Sequence, residues 1–215
     1  MTSEVSVERI EHFIPSSDGT SQLRVLLWIP YLPENGLKGV IQIVHGMEEH
    51  IDRYDAFARF LARNGFVVGA HDHVGHGKSV LDARDLGHIT LDQGDAVLVN
   101  DVDRVRRALF EQFSDLPYFI FGHSMGSLVL RSYLPRYGSG LAGAIICGTA
   151  NEPVAVSRAG NLAARAIARV RGDDYRSNLL HALADGAYSR AIKDARTPFD
   201  WLSRDPAVAD AFMAD

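Results

Sequence analysis

A serine set between glycines is the strongest chemical feature of this sequence. It lies in Gly122-His123-Ser124-Met125-Gly126, with an apolar, strand-like run at 118–121 before it and a helix expected from 127. A strand-to-helix turn this tight needs glycines around the serine, and it presents the hydroxyl at the positive end of the helix dipole. That placement favours a nucleophile for acyl transfer. The alternative is a serine that only caps the helix after a glycine turn.

A second segment could supply hydrogen-bond donors to the same reaction. His45-Gly46-Met47-Glu48-Glu49-His50 directly follows an apolar run at 39–44. The oxyanion of acyl transfer needs two fixed N–H donors, one from the residue after the nucleophile and one from the loop after an earlier strand. Those positions are Met125 and Met47. A His-Gly pair alone proves little, but together with the serine turn it indicates an oxyanion hole.

Three histidines close together raise the question of a metal site. They lie in Ala70-His71-Asp72-His73-Val74-Gly75-His76-Gly77. The order H-D-H-x-x-H resembles a metallo-hydrolase loop only loosely, and no second cluster of ligands is found elsewhere in the sequence. We therefore expect no metal and no cofactor, and instead a glycine-rich structural loop whose histidines form local hydrogen bonds.

The elements that must position these groups alternate along the chain. Short apolar runs predict parallel strands buried on both faces, and amphipathic spacing predicts helices between them. The strands are expected at 39–44, 66–70, 118–121 and 142–147, and the helices at 54–62, from near Asp92 to before Pro117, and at 128–137. This β-α-β-α-β-α-β order predicts an α/β fold with right-handed crossovers. Ahead of it, Val5 to Ile14 and Leu23 to Ile29 predict a hairpin around a turn at 16–19.

The character of the sequence changes after Ala150, which predicts a core at 1–150 and a helical region at 151–215. The second part contains no good strand, and its apolar residues repeat at helical spacing with arginines opposite. The apolar residues are Leu162, Ala163, Ala166, Ile167 and Val170, the arginines are Arg158, Arg165 and Arg169, and Leu179, Leu180 and Leu183 indicate a second short helix. Two interpretations are open: these faces pack against a core, or they form a helical cap over a cleft.

Composition excludes several classes of protein. Of the 215 residues, 47% are hydrophobic and 23% charged, and the net charge is −5, which is typical of a globular domain and argues against disorder and nucleic-acid binding. No run approaches the roughly 18 apolar residues of a membrane span. The acidic start shows no signal peptide, so a cytoplasmic location is expected. The single cysteine, Cys147, lies in an apolar run and is expected to be a buried, unreactive thiol.

Three motifs, in this order, resemble those of the α/β-hydrolase family of monoacylglycerol lipases and bacterial lysophospholipases. They are H-G-M-E-E-H-I-D-R-Y at 45–54, A-H-D-H-V-G-H-G-K-S at 70–79 and G-H-S-M-G at 122–126. The group is also classified with the serine aminopeptidase-like hydrolases. A weaker resemblance, at 199–205, is to the far end of the cap in bacterial members. The resemblance implies the α/β-hydrolase fold, a mostly parallel sheet with helices on both faces and a helical cap insertion.

The resemblance also implies roles for particular residues. Ser124 is then the nucleophile, and the backbone N–H groups of Met47 and Met125 form the oxyanion hole. Glu49 and Arg53 match family positions near the alcohol side of the substrate pocket. A surface ion pair at a helix start would explain the same two residues.

The sequence departs from the family in its catalytic triad, whose order in this fold is serine, acid, histidine. His181 is the only histidine after Ser124, and it lies in a helical stretch of the presumed cap. Earlier histidines (His45, His50 and His123) stand in the wrong chain order. The family carries its acid and histidine after two further strands that are not found here. We therefore expect the triad acid and histidine to lie outside this chain, which then looks C-terminally truncated and catalytically impaired.

These features predict a serine ester hydrolase that cleaves monoacylglycerol or lysophospholipid through an acyl-enzyme on Ser124. Two alternatives stay open: a non-catalytic binding module of the same fold, and a peptidase or arylesterase. The expected partner is a small lipid ester, with no nucleic acid. Two further contacts are expectations, a transient one between the cap and a membrane surface, and self-association through an exposed sheet edge at Ala144 to Cys147.

Overall fold

The computed structural model describes residues 5–33, 36–89, 93–172, 175–184 and 186–214. The chain divides into two compact units, Met1–Asn151 and Glu152–Asp215. In the first unit the strands are β1 (Val7–Pro15), β2 (Gln22–Pro30), β3 (Gly39–Val44), β4 (Phe66–His71), β5 (Tyr118–His123) and β6 (Gly143–Cys147), and the α-helices are α1 (Asp55–Arg63), α2 (Gly94–Gln112) and α3 (Met125–Tyr137).

The six strands form one sheet in the order β1-β2-β4-β3-β5-β6. β1 and β2 form the predicted hairpin, and β2 also runs antiparallel to β4. β3 is parallel to β4 and to β5, and β5 is parallel to β6. The predicted α/β fold with a mostly parallel sheet is therefore confirmed, and the carboxyl ends of β3, β5 and β6 meet at one edge.

Helices cover both faces of this sheet. Alternate residues of β2 belong to two different buried clusters, because successive side chains of a strand point to opposite faces. Val25 and Leu27 pack in the cluster that contains residues of α2 and α3, whereas Leu26 and Trp28 pack in the cluster that contains residues of α1. This confirms the expectation of helices on both faces.

α3 begins at Met125, earlier than the 127 or 128 expected, because the turn out of β5 takes only one residue, Ser124. α2 begins at Gly94, and the predicted start near Asp92 lies outside the described residues.

The expectation of a buried Cys147 is wrong. β6 stands last in the sheet, where it pairs with β5, and Cys147 is exposed. Ile145 and Ile146 of the same strand are 48% and 41% exposed. The apolar run did predict a parallel strand, but it could not show that the strand lies at an edge of the described sheet. The expected exposure of this edge is confirmed for the described residues.

The second unit, taken by itself, contains α4 (Val154–Arg171), α5 (Asn178–Ala184), α6 (Gly186–Ala191) and α7 (Pro206–Met213), with no strand among its described residues. α4 has no buried residue, and Leu162 and Val170 are 70% and 81% exposed. Both interpretations of its apolar face, packing against a core and a cap over a cleft, stay predictions. Within the described ranges, no helix is both long and apolar enough to cross a membrane.

Candidate active site

Ser124 lies at the single-residue turn between β5 and α3. Its backbone has φ 51° and ψ −121°, in a region that a residue with a side chain rarely adopts and that stores strain. The side chain is exposed at the N-terminus of α3. The predicted tight turn is thus confirmed.

Two glycines make this turn sterically possible. A Cβ on Gly122 would lie 2.6 Å from the carbonyl oxygen of Gly126, and a Cβ on Gly126 would lie 2.5 Å from the carbonyl oxygen of His45. Neither position can hold a larger residue without moving backbone. The second distance also shows that the start of α3 packs directly against the end of β3.

Hydrogen bonds hold Ser124 from both sides. Its N–H donates to the carbonyl of Cys147 at 3.0 Å, which ties the turn to β6. Its carbonyl accepts bonds from the Ser127 N–H at 2.9 Å and from the Ser127 hydroxyl at 2.6 Å, which ties it to α3. The backbone of the serine is therefore fixed while its hydroxyl faces outward.

The loop after β3 approaches this serine closely. A Cβ on Gly46 would lie 3.0 Å from Cβ of Ser124 and 2.6 Å from Oε1 of Glu49. Gly46 is therefore the residue that allows the loop to reach the nucleophile. Met47 follows Gly46 in the chain, and Met125 follows Ser124 as the first residue of α3. The role of their N–H groups in an oxyanion hole stays a prediction.

Glu49 is the centre of a partly buried polar cluster beside the nucleophile. Its Oε1 accepts the N–H of Gly46, the hydroxyl of Tyr54 at 2.7 Å and Nδ1 of His123 at 3.3 Å. Burial disfavours the carboxylate, but bonds from His123, Tyr54 and Gly46 outweigh burial and lower the pKa of Glu49. The bond to Glu49 raises the pKa of His123. The site therefore favours a carboxylate next to an imidazole that protonates readily.

The surface interpretation does not describe Glu49, whose side chain is only 13% exposed. Arg53 is half-buried in a 3₁₀ turn that spans Ile51–Tyr54. Sequence reasoning missed Tyr54 and His123 as partners of Glu49. Tyr54 lies at the start of the helix predicted at 54–62, and no local pattern relates it to a histidine 69 residues away.

A buried ion pair joins the two loops around the site, and sequence reasoning missed it as well. Asp72 accepts the N–H of Ile51 at 2.8 Å and the N–H of Lys78 at 3.0 Å. The guanidinium of Arg24, 3% exposed, lies 3.4 Å from the same carboxylate and 2.5 Å from that of Asp52. The only sequence signal was the place of Asp72 within the motif at 70–79.

The histidines of that motif form a buried cluster with His45. Ring centroids of His45 and His73 are 4.3 Å apart, and those of His71 and His73 are 4.9 Å apart. Burial lowers the pKa of His45 to about 3 and that of His71 to about 4. Burial also lowers the pKa values of His73 and His76. All four rings are therefore neutral near pH 7.

The predicted local hydrogen bonds hold for part of this cluster. Nδ1 of His76 contacts the carbonyl of Val74, two residues away, whereas the N–H of His73 donates to Nε2 of His45, 28 residues away. In the described part of the chain, neither ring nitrogen of His71 has a partner. No group of residues arranged to hold a metal ion is found within those ranges.

His181, which the sequence offers as a late histidine, lies in α5 of the second unit. Hydrogen bonds among the described residues include none to the Ser124 hydroxyl. The structure thus brings together the predicted nucleophile, Glu49 and the loop after β3 that carries Gly46 and Met47, which we call the donor loop.

A strained serine at the carboxyl end of a mostly parallel sheet, next to a glycine loop from the neighbouring strand, places this chain in the α/β-hydrolase fold class. Residues 35–215 match the family described as serine aminopeptidase, S33, and the chain belongs to that family. The resemblance drawn from the three motifs is therefore confirmed.

The relatives include lipases and an esterase. The chain is 29% identical to the monoacylglycerol lipase of Mycolicibacterium smegmatis, in a match that covers 98% of this chain and 66% of that protein. It is 36% identical to the monoglyceride lipase of Mus musculus, in a match that covers 51% of this chain and 35% of that protein. The structure of a highly thermostable carboxyl esterase from Bacillus coagulans, crystallised with glycerol, matches with a TM-score of 0.84 and 33% sequence identity. This match covers 98% of this chain and 66% of the esterase. The chain thus spans 66% of the length of the two bacterial relatives.

Proposed function

We propose that this chain is the part of a serine ester hydrolase that carries the nucleophile and the oxyanion hole, and that the substrate is a lipid ester of the monoacylglycerol type. One observation carries the proposal: Ser124 has a positive φ at a one-residue turn, with Gly46 of the donor loop packed against it. A serine that merely caps a helix has an extended, unstrained backbone. The strain at Ser124 is therefore better explained by function.

In this mechanism the Ser124 hydroxyl attacks the ester carbonyl as a general base removes its proton. The C–O bond to the alcohol breaks when the tetrahedral intermediate collapses, and the alcohol leaves with a proton. The oxyanion of the intermediate is held by the N–H groups of Met47 and Met125, and the N-terminus of α3 favours the same charge. Water then cleaves the acyl-enzyme by the same steps.

The general base and its acid are proposed to come from polypeptide outside these 215 residues, since no histidine among the described ones bonds to the hydroxyl. We therefore expect this chain alone to react slowly, and the same chain supplied with the remaining triad residues to react faster. Loss of the triad members costs on the order of 10⁶ in turnover in a comparable serine hydrolase, and the oxyanion hole keeps a residual rate of roughly 10³ over water.

A glycerol ester is the preferred substrate for two reasons. The relatives are named as monoglyceride lipases and a carboxyl esterase, and the esterase was crystallised with glycerol. Arg53 lies in the 3₁₀ turn that follows the donor loop, and Glu49 lies shortly before that turn. We assign both residues to the alcohol side of the substrate. A lysophospholipid shares this glycerol ester and is the second candidate.

The second unit is proposed to act as the cap. Its helix α4 carries exposed apolar residues and four arginines without any acidic residue, a composition suited to acyl chains and to the surface of an anionic membrane. This role is separable from the chemistry, because Ser124 and the donor loop belong to the first unit.

The substrate class is tested by comparing hydrolysis of a monoacylglycerol, a lysophospholipid and an aminoacyl amide by the same preparation. We expect slow ester cleavage, fastest for the monoacylglycerol, which Ser124→Ala abolishes and Ser114→Ala leaves unchanged. Ser114 is a matched control because it is an exposed serine just beyond the C-terminal end of α2. Faster cleavage of the amide would favour a peptidase, and no serine-dependent cleavage of any substrate would favour a binding module.

A further inference from the structure

Hydrogen bonds from side chains hold the backbone of the donor loop in place. Oε1 of Glu49 accepts the N–H of Gly46, and Nε2 of the His73 ring contacts the carbonyl of His45 at 3.2 Å. These two bonds fix the peptide unit between His45 and Gly46. The next peptide unit, between Gly46 and Met47, contains the N–H proposed as an oxyanion donor.

That second unit is fixed by the ring of His45. Nδ1 of His45 lies 2.7 Å from the carbonyl oxygen of Gly46. A trans peptide unit is planar, and its C=O and N–H point in opposite directions. A bond that fixes the Gly46 carbonyl therefore fixes the direction of the Met47 N–H as well.

The tautomer of His45 follows from its other nitrogen. The backbone N–H of His73 points at Nε2 of His45 at 2.9 Å. A backbone N–H only donates, so Nε2 must be the unprotonated acceptor, and the proton of the neutral ring must sit on Nδ1. Burial keeps the ring neutral by lowering the pKa of His45. Nδ1 is thus a donor to the Gly46 carbonyl.

We propose that His45 is a positioning residue for the reaction: its Nδ1–H tautomer, set by His73, orients the Gly46–Met47 peptide so that the Met47 N–H serves the oxyanion hole. This inference rests on the function proposed above for Ser124. It also excludes His45 as the general base, because neither ring nitrogen has a lone pair free to take the serine proton.

Two substitutions separate the roles of the two ring nitrogens. An asparagine side chain places its amide near Nδ1 and can still donate to Gly46, whereas a glutamine amide reaches toward Nε2 and leaves the Gly46 carbonyl without its donor. Both substitutions replace the buried imidazole with a primary amide. His45→Asn is therefore the matched control for His45→Gln.

The readout is covalent labelling of Ser124 by a fluorophosphonate, followed by intact mass in the 215-residue chain. We expect His45→Gln to lower the maximal labelling rate about tenfold or more and to leave the probe concentration at half-saturation unchanged. The loss should be smaller than the roughly 10²–10³-fold loss that follows outright removal of an oxyanion donor. His45→Asn should stay within about threefold of the unsubstituted chain. A purely structural role predicts that the rates of both variants follow their melting temperatures.

Equal labelling rates for the two variants would overturn the assignment of His45 while leaving Ser124 as the nucleophile. Labelling that persists in Ser124→Ala would instead overturn the proposed function. If His45→Gln does not fold, nitrogen-15 NMR of the histidine rings in the unsubstituted chain decides. A proton on Nδ1 of His45 at pH 7 and pH 6 is expected, and a proton on Nε2 or a charged ring would overturn the proposal.

Discussion

β3 and β6 lie on either side of β5, and both hold the turn at Ser124, yet their environments are opposite. Every residue of β3 is buried, whereas β6 is exposed from Ala144 to Cys147. β3 holds the turn by close packing of its carboxyl end against Gly126, and β6 holds it by one backbone hydrogen bond from Ser124 to Cys147. The proposed nucleophile is thus positioned by an interior strand on one side and by an exposed edge strand on the other.

The largest expected effect of this difference is on stability. Ile43→Ala in β3 removes a fully buried side chain and should lower the free energy of unfolding by about 2–5 kcal/mol. Ile145→Ala makes the same change in β6, at a side chain that is 48% exposed, and should cost roughly 1 kcal/mol or less. Urea unfolding of both variants measures the two costs. Equal losses would mean that β6 is as well covered as β3.

The buried histidines next to β3 should make the free energy of unfolding depend on pH in the acid range. Burial lowers the pKa of His71 to about 4, from 6.5 in the unfolded chain. Below pH 6.5 the unfolded state therefore binds more protons, and stability falls as the pH falls toward 4. His71→Leu should flatten this dependence by up to about 1.4 kcal/mol per pH unit.

Urea unfolding at pH 7 and pH 5 checks this pH dependence. The matched control is His12→Leu, which makes the same substitution at an exposed position of β1. A slope in His71→Leu equal to that of the unsubstituted chain would show that His71 is not buried and neutral.

The smallest effect on unfolding is expected at the edge itself, where a surface change typically stays within about 0.5 kcal/mol. Ile145→Lys should instead change association, because a charge on an edge strand opposes pairing with a second copy. Size-exclusion chromatography with light scattering should show self-association of the unsubstituted chain and a monomer for the variant. Leu128→Lys, an exposed position on α3, controls for added charge. A cooperative, monodisperse unsubstituted monomer would contradict association through β6.

Much of this comparison was predictable from the sequence. Continuous apolar runs predicted the parallel strands, because such strands are buried on both faces. The glycines around Ser124 predicted its turn, because the chain cannot pass from β5 to α3 there with larger residues. These are local requirements, and each leaves a mark on adjacent residues.

The rest depends on contacts that no local pattern records. The run that ends at Cys147 is as apolar as β3, so its composition could not show that it lies at an edge. The bond from Tyr54 to His123 joins residues 69 apart, and that from His73 to His45 joins residues 28 apart. Such pairs depend on strand order and side-chain direction, which follow from the whole fold.

The central claim is that Ser124 is a nucleophile held between these two strands. Its most direct test is reaction of the 215-residue chain with a fluorophosphonate, with the adduct located by peptide mapping and the rate compared with that of Ser124→Ala. We expect one adduct, on Ser124, formed slowly in this chain and absent from the variant, while Ser114→Ala reacts as the unsubstituted chain does. An adduct only on other residues, or an equal rate in Ser124→Ala, would contradict the account.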